Sequence, residues 1–319
     1  MSFKVLIPQQ IDEDGEKYLL ERGYEIKACD TSIDALKKEV EDCDAILART
    51  VSLPAEVITA GKRLKVIARH GVGVDNIDMK TATDMGIFVT NAPYCNEKTV
   101  AEHALGLIIN LAKNMLYCDK ELRQGNYSIR DQITNIDLDQ KILGIIGLGK
   151  IGSLLSKKAA LGLNMKVLGY HPSSPKEALG EEIELTNDWD YLFTNADFVS
   201  LHLPVTKNTR NIVGKKEFSM MKPTSYIVNT ARGELIDEPA LIDALKNGDI
   251  CGAALDVYAQ EPPSKDNPLF SLNNVVLSPH NASHTVEAKK RMALCAAKCI
   301  DEVLSGQKPS WPCNQPHCS

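Results

Sequence analysis

Short apolar runs recur along the chain, separated by stretches whose apolar positions fall three and four residues apart. FKVLIP (3–8), DAILA (44–48), LKVIA (64–68) and GIFVT (86–90) form a first set. The crossovers between them, such as 12–22 and 32–41, are helical in pattern. A second set follows: KILGIIG (141–147), MKVLGY (165–170), DFVSLHL (197–203), TSYIVNT (224–230), GAALDVY (252–258) and NVVLSPH (274–280). Strand and helix alternating in this way predict an α/β chain, with parallel sheets wound by helices on both faces.

Between the sets lies TVAEHALGLIINLAKNMLY (99–117), apolar around most of its circumference. A helix of that kind has to be buried, which predicts packing between domains, against a second subunit as a homodimer, or both. NAPYCNEK (91–98), with Pro93 and two asparagines, reads as a linker. A last helical run, 285–305, follows the final strand and is expected to return to the first domain.

At 319 residues and 44% hydrophobic, the chain suits two domains that each bury a core. Its 36 basic and 42 acidic residues leave a net charge of −6. That balance lacks the basic excess that nucleic acid or an anionic membrane favours, so neither is expected as a partner. The opening MSFKVLIPQQ lacks the layout of a signal peptide, and no apolar run approaches the roughly 18 residues of a membrane span. The expected location is cytoplasmic. Nine scattered cysteines suggest no disulfide framework. Cys313, His317 and Cys318 cluster near the end without a partner pair elsewhere, and no metal is expected.

The first chemical signal is GIIGLGKIGSLL (144–155), which carries Gly147, Gly149 and Gly152 in the spacing G-x-G-x-x-G. It follows a strand-like run and opens a helix-like one. In that setting the glycines serve a tight turn, the approach of backbone to a pyrophosphate, and close packing of helix on strand. The pyrophosphate then meets free N–H groups and the positive end of the helix dipole. His171, in VLGYHPSSP, stands 19 residues beyond Gly152, where this fingerprint places a carboxylate for the ribose. A carboxylate would repel the 2′-phosphate of NADP; a histidine does not, and when protonated it attracts it. Ser173, Ser174 and Lys176 add donors. NAD is the expected cofactor, with NADP use an open possibility.

RHGVGVDNID (69–78), NAP (91–93), TVAEH (99–103), GLGKIG (147–152), NTARGELID (229–237), ALDVYAQEPP (254–263) and SPHNASHT (278–285) complete the pattern. In order and spacing these blocks resemble the D-isomer-specific 2-hydroxyacid dehydrogenases, over essentially the whole chain. The resemblance implies two doubly wound parallel-sheet domains. A Rossmann-type cofactor domain (99–284) is inserted into a flavodoxin-like substrate domain (1–98 with 285–319). It implies a catalytic group of Arg232, Glu261 and His280. It also assigns Lys150 and Ile151 to the pyrophosphate, Leu203 and Pro204 to the adenine side, and Thr230 and Ala231 to the nicotinamide side. Asp256 would meet the carboxamide, and the backbone of Val72 and Gly73 the substrate carboxylate.

The chemistry of the catalytic group can be stated from the side chains. Reducing a 2-keto acid needs a hydride on the carbonyl carbon, a proton on its oxygen and a cation for the carboxylate. Arg232 offers a planar cationic fork. His280 can give the proton in reduction and take it in oxidation, with Glu261 on its other nitrogen holding the tautomer. His70, His202 and His284 are rival histidines; His280 is preferred because it follows a strand and Pro279.

ARTVSL (48–53) and RHGVGVDNID look most like phosphoglycerate dehydrogenases, making Arg49 and Arg69 candidates for a phosphate or second carboxylate. The chain ends without the regulatory domain many of those enzymes carry, and YCNE (94–97) departs from their glycine-containing loop. A small phosphoglycerate-like 2-hydroxy or 2-keto acid is the expected substrate, with glyoxylate or hydroxypyruvate as the alternative. A protein that senses NADH without catalysis, as some corepressors of this family do, is the reading from another class.

Overall fold

Alternate residues of each apolar strand point to opposite faces, and in this chain both faces find helices. The computed structural model describes residues 2–170 and 182–316. The chain divides into two units, Met1–Asn96 with His284–Ser319, and Glu97–Ser283.

In the first unit, β1 (Lys4–Leu6), β2 (Glu25–Lys27), β3 (Ala45–Ala48), β4 (Val66–Arg69) and β5 (Phe88–Thr90) form a parallel sheet in the order β2-β1-β3-β4-β5. This is the doubly wound order of flavodoxin-like folds. Leu6, Ile46 and Ile67 pack on one face with Leu36 and Val40 of α2 (Ile33–Val40), Val57 of α3 (Ala55–Ala60) and Ala82 of α4 (Met79–Asp84). Val5, Leu47 and Val66 pack on the other with Leu19 of α1 (Glu13–Glu21) and Ala293, Ala297 and Ile300 of α11 (Val286–Leu304). A Cβ on Gly15 of α1 would stand 2.9 Å from the Ala293 Cβ, so small residues on both helices set their close approach. Asp12, Ser32 and Thr285 cap α1, α2 and α11 by accepting from backbone N–H groups of the first turn.

In the second unit the strands are β6 (Ile142–Ile146), β7 (Lys166–Tyr170), β8 (Ile183–Thr186), β9 (Phe198–Leu201), β10 (Tyr226–Asn229), β11 (Gly252–Leu255) and β12 (Val275–Leu277). They pair in parallel in the order β12-β11-β10-β9-β6-β7-β8. The order reverses between β6 and β9, and in open parallel sheets such a switch point is where ligands bind, beyond the strand C-termini. Helices α5 (Glu97–Lys113) and α7 (Lys150–Leu163) cover one face, with Leu107, Ile108 and Leu155 against Ile145, Val167 and Val228. The opposite face is covered by α8 (Trp189–Asn195), α9 (Lys215–Met220) and α10 (Glu238–Asn247).

The single helix expected over 99–117 is two. Asn114 adopts a left-handed conformation (φ 48°) and separates α5 from α6 (Met115–Arg123). Ala104, Leu107, Ile108 and Leu111 are buried as the pattern requires, whereas Met115 and Leu116, carried past the break, are 51% and 57% exposed. Two strands carried no apolar run in the sequence: β2 (EIK) and β8 (IELT). Each is an edge strand with one neighbour, so polar side chains are tolerated there.

Candidate active site

The ends of β6, β9, β10, β11 and β12 carry the expected chemistry of the second unit. After β6 the chain turns at Gly147 (φ 100°), a conformation that favours glycine, and a Cβ there would stand 2.6 Å from the His202 carbonyl oxygen. The β6 and β9 loops therefore touch at the switch point. A Cβ on Gly152 would overlap the Gly147 carbonyl, so that glycine lets α7 pack onto the turn. Gly149 is different: among the described residues nothing lies within 4 Å of where its Cβ would be. It caps α7 with no side chain, and the first turn, beginning Lys150 and Ile151, holds no acidic residue. Leu203 and Pro204 follow β9, with Leu203 beside Gly147. His171, with Ser173, Ser174 and Lys176, lies outside the described residues, as do His317 and Cys318; Cys313 donates its N–H to the Val89 carbonyl.

Beyond β10, the buried Asn229 shapes the turn that presents Arg232. Its Oδ1 accepts from the Ala231 N–H at 3.0 Å, and its Nδ2 donates to the Arg232 carbonyl at 2.8 Å. The Arg232 guanidinium donates to the Ala231 carbonyl at 2.7 Å. Gly233 comes next, and a Cβ there would overlap the Tyr258 carbonyl group. Backbone thus meets backbone between the Arg232 loop and the loop leading to Glu261.

Glu261 and His280 form a short polar contact, with Oε2 and Nδ1 2.6 Å apart. The other carboxylate oxygen accepts from the Tyr258 N–H at 3.2 Å. Burial pushes the Glu261 carboxyl up. The His280 hydrogen bond and charge, the Tyr258 N–H and the Arg232 charge outweigh it and hold the group below its ordinary value. A carboxylate facing Nδ1 accepts a hydrogen bond from the N–H there, which leaves Nε2 to hold or release a proton. His280 has φ 49°, a left-handed conformation costing a non-glycine residue about 1–3 kcal/mol, so its surroundings must enforce it. Arg232, Glu261 and His280 are therefore brought together on loops from three adjacent strands.

Asp256, which the resemblance assigns to the carboxamide, follows β11. It is 0% exposed, and its carboxylate accepts from the Ser278 hydroxyl at 2.6 Å and the N–H groups of Asn281 and Ala282 at 3.0 and 2.9 Å. Here its oxygens fix the loop around His280, because a buried carboxylate is tolerated only where its lone pairs are filled.

The rival histidines stand in other surroundings. His202 sits 2.9 Å from the Ser200 hydroxyl, and burial pushes it down to about 4. His70 is pushed down to about 4 by burial, then by the charges of Arg49 and Arg69. His284 Nε2 lies 3.4 Å from an Arg49 guanidinium nitrogen. Arg49, at the end of β3, also donates to the Gln10 carbonyl at 2.8 Å, and Arg69, ending β4, to the His70 carbonyl at 2.6 Å. Val72, 45% exposed, and Gly73 follow in the turn after β4, where the Val72 carbonyl accepts from Asn91.

Residues 105–282 match the family model described as "D-isomer specific 2-hydroxyacid dehydrogenase, NAD binding domain". The chain is also 36% identical to the glyoxylate reductase of Korarchaeum cryptofilum, over 99% of this chain and 97% of that one. The chain belongs to the D-isomer specific 2-hydroxyacid dehydrogenases. D-3-phosphoglycerate dehydrogenase of Methanocaldococcus jannaschii is 42% identical over 98% of this chain, which spans 60% of that relative's length. Among solved structures, the NADPH-dependent glyoxylate/hydroxypyruvate reductase of Sinorhizobium meliloti, in complex with NADP and malonate, is similar with a TM-score of 0.87. It is 27% identical, with 98% of this chain and 97% of that one covered.

The matched domain, residues 105–282, has features that fit a dinucleotide. Among the described residues nothing fills the space beside Gly149, where a pyrophosphate can meet the start of α7. The Thr230 hydroxyl and the Asn281 side-chain oxygen are buried without a hydrogen-bond partner among the described residues, which marks positions a ligand can satisfy. Gly233, Tyr258, Ser278 and His103 escaped the reading of single motifs. Each lies inside a quoted block, but its role depends on a contact with a distant one. No helix among the described residues is long and apolar enough to cross a membrane.

Proposed function

We propose that this dehydrogenase interconverts a small D-2-hydroxy acid and its 2-keto acid, using NAD or NADP. The observation that carries the reading is the Glu261–His280 pair at 2.6 Å beside Arg232. The nicotinamide supplies or accepts the hydride. Arg232 holds the carboxylate and polarises the carbonyl, while Nε2 of His280 passes the proton to the carbonyl oxygen. Glu261 keeps the imidazole oriented and balances its charge when it is protonated. The loop of Gly147, Gly149 and Gly152, with Lys150 and Ile151, receives the pyrophosphate. Leu203, Pro204, Thr230 and Ala231 border the rest of the cofactor. Arg49, Arg69 and the Val72–Gly73 backbone serve the anionic groups of the acid.

A phosphoglycerate-like substrate is favoured by Arg49 and Arg69 and by the 42% identity to a D-3-phosphoglycerate dehydrogenase. Glyoxylate or hydroxypyruvate is the second reading, favoured by the relative matched over nearly all of its length. The deciding experiment measures oxidation of NADH and NADPH with 3-phosphohydroxypyruvate, hydroxypyruvate and glyoxylate. Turnover is expected with at least one pair, with 3-phosphohydroxypyruvate giving the highest kcat/KM. Cofactor binding with no turnover on any acid would replace the enzyme by a cofactor-sensing protein. His171→Asp is expected to raise the preference for NADH, because a carboxylate accepts from the ribose hydroxyls and repels a 2′-phosphate. An unchanged NADH/NADPH ratio would remove His171 from ribose recognition.

The same proposal includes a homodimer. Met115, Leu116, Leu122 and Tyr127 expose their side chains on and just after α6, a grouping that suits a second copy better than water. Light scattering should give twice the 35.0 kDa chain mass, and a monomer would refute it.

A further inference from the structure

Behind the loop that carries His280 stands a chain of three side chains, all in the second unit. His103 lies on α5 in TVAEH, Ser278 follows β12, and Asp256 follows β11. The Asp256 carboxylate has no proton to give, so the Ser278 hydroxyl, 2.6 Å from Oδ1, spends its one hydrogen there. His103 Nε2 lies 3.1 Å from the same hydroxyl oxygen, which can then only accept from it. The direction is fixed: His103 N–H to Ser278 O–H to Asp256. Nε2 itself stands 3.7 Å from Oδ1, so a protonated His103 also faces the buried charge.

What this chain holds is the backbone on both sides of His280. The Ser278 carbonyl accepts from the Tyr258 hydroxyl at 2.9 Å and from the His280 N–H at 3.1 Å. Asp256 takes the N–H groups of Asn281 and Ala282. His280 sits between these anchors in its left-handed conformation, which its own preferences would not maintain.

We propose that His103 is a positioning residue for the proton transfer: its N–H orients Ser278 onto Asp256, and Asp256 fixes the loop that sets His280 opposite Glu261. The proposal rests on the reading of His280 as the group that handles the proton. Without His103 the Ser278 hydroxyl is free to rotate away, Asp256 loses its best donor, and the loop relaxes from its strained form. A shift of about 1 Å at a reacting group can cost about 10²-fold in rate. The His103 side chain is 26% exposed, so truncating it admits water rather than opening a sealed cavity.

The test compares His103→Ala with His103→Gln, whose amide nitrogen can take the place of Nε2 as donor to Ser278. His103→Ala is expected to lower kcat ten- to a hundredfold. The keto-acid KM and the NADH dissociation constant, the latter from fluorescence titration, should stay within about threefold. His103→Gln should recover kcat to within about threefold of the parent. In the protein without cofactor, the proton resonance of His280 Nδ1, bonded to Glu261, should move or broaden in His103→Ala and return in His103→Gln. Unchanged kcat in His103→Ala, a glutamine variant no better than alanine, or a loss confined to NADH affinity would each overturn the proposal. If the parent turns over no keto acid, the reading of His280 falls separately. The Nδ1 resonance then decides alone, and an unmoved signal in His103→Ala refutes the positioning role.

Discussion

His280→Ala is expected to lower kcat for keto-acid reduction by about 10²–10⁴-fold, the usual contribution of a positioned proton donor. NADH affinity should stay within a few-fold of the parent, because the imidazole's contact with the protein is to Glu261 and not to the glycine loop. The measurement is steady-state kinetics beside a fluorescence titration of NADH. A large loss of cofactor affinity with little change in kcat would place His280 in binding instead. The substitution has a second consequence, at Glu261. Burial pushes that carboxyl up, and its hydrogen bond to His280 is the first of the effects opposing burial. A carboxyl held below its ordinary value binds fewer protons when folded than when unfolded. It therefore stabilises the fold above the ordinary carboxylate range, and the benefit is lost as pH falls through its folded value. Removing His280 raises that folded value. Acid unfolding of the variant, followed by circular dichroism, is expected to begin at a higher pH than in the parent.

The strands most legible in the sequence were those buried on both faces. ILGII and AILA are apolar at each position except for a glycine because helices lie above and below them. The edge strands EIK and IELT gave no such run, since an edge asks less of its side chains. The division of 99–117 into two helices depends on one left-handed residue, Asn114, in a stretch whose apolar pattern continues on both sides of it. At the site, Arg232, Glu261 and His280 were legible through their motifs. The contacts that hold them were not. His103 and Ser278 are 175 positions apart, and Gly233 looks like any loop glycine until Tyr258 is placed against it. Asp256 shows the same limit: its place at a strand end said nothing of the bonds its oxygens accept from Ser278, Asn281 and Ala282. Such roles belong to pairs of residues, and a pattern read along one stretch at a time does not contain them.

Arg232→Lys carries the second large effect and is the sharper test of what the arginine does. The guanidinium donates to the Ala231 carbonyl at 2.7 Å, and its planar fork carries five N–H donors in all. A lysine keeps the charge but concentrates its donors on one atom, so it cannot grip a carboxylate with two parallel bonds while still holding Ala231. Losing one charge-assisted hydrogen bond costs about 1.5–3 kcal/mol, which corresponds to about 10–150-fold in kcat/KM. The loss should fall on both KM and kcat, because the same fork binds the carboxylate and polarises the carbonyl. If only KM rose, Arg232 would be a binding residue with no part in the transition state. Near-normal kcat/KM would mean that a point charge suffices, and the bidentate reading would have to be given up. Charge alone also acts on Glu261, since Arg232 is among the groups that hold its carboxyl low. Lysine preserves that influence, so the acid limb of the stability profile should move far less in Arg232→Lys than in His280→Ala. The two variants therefore separate geometry from charge at one site: the arginine's effect lies in the shape of its fork, the histidine's in the proton it carries.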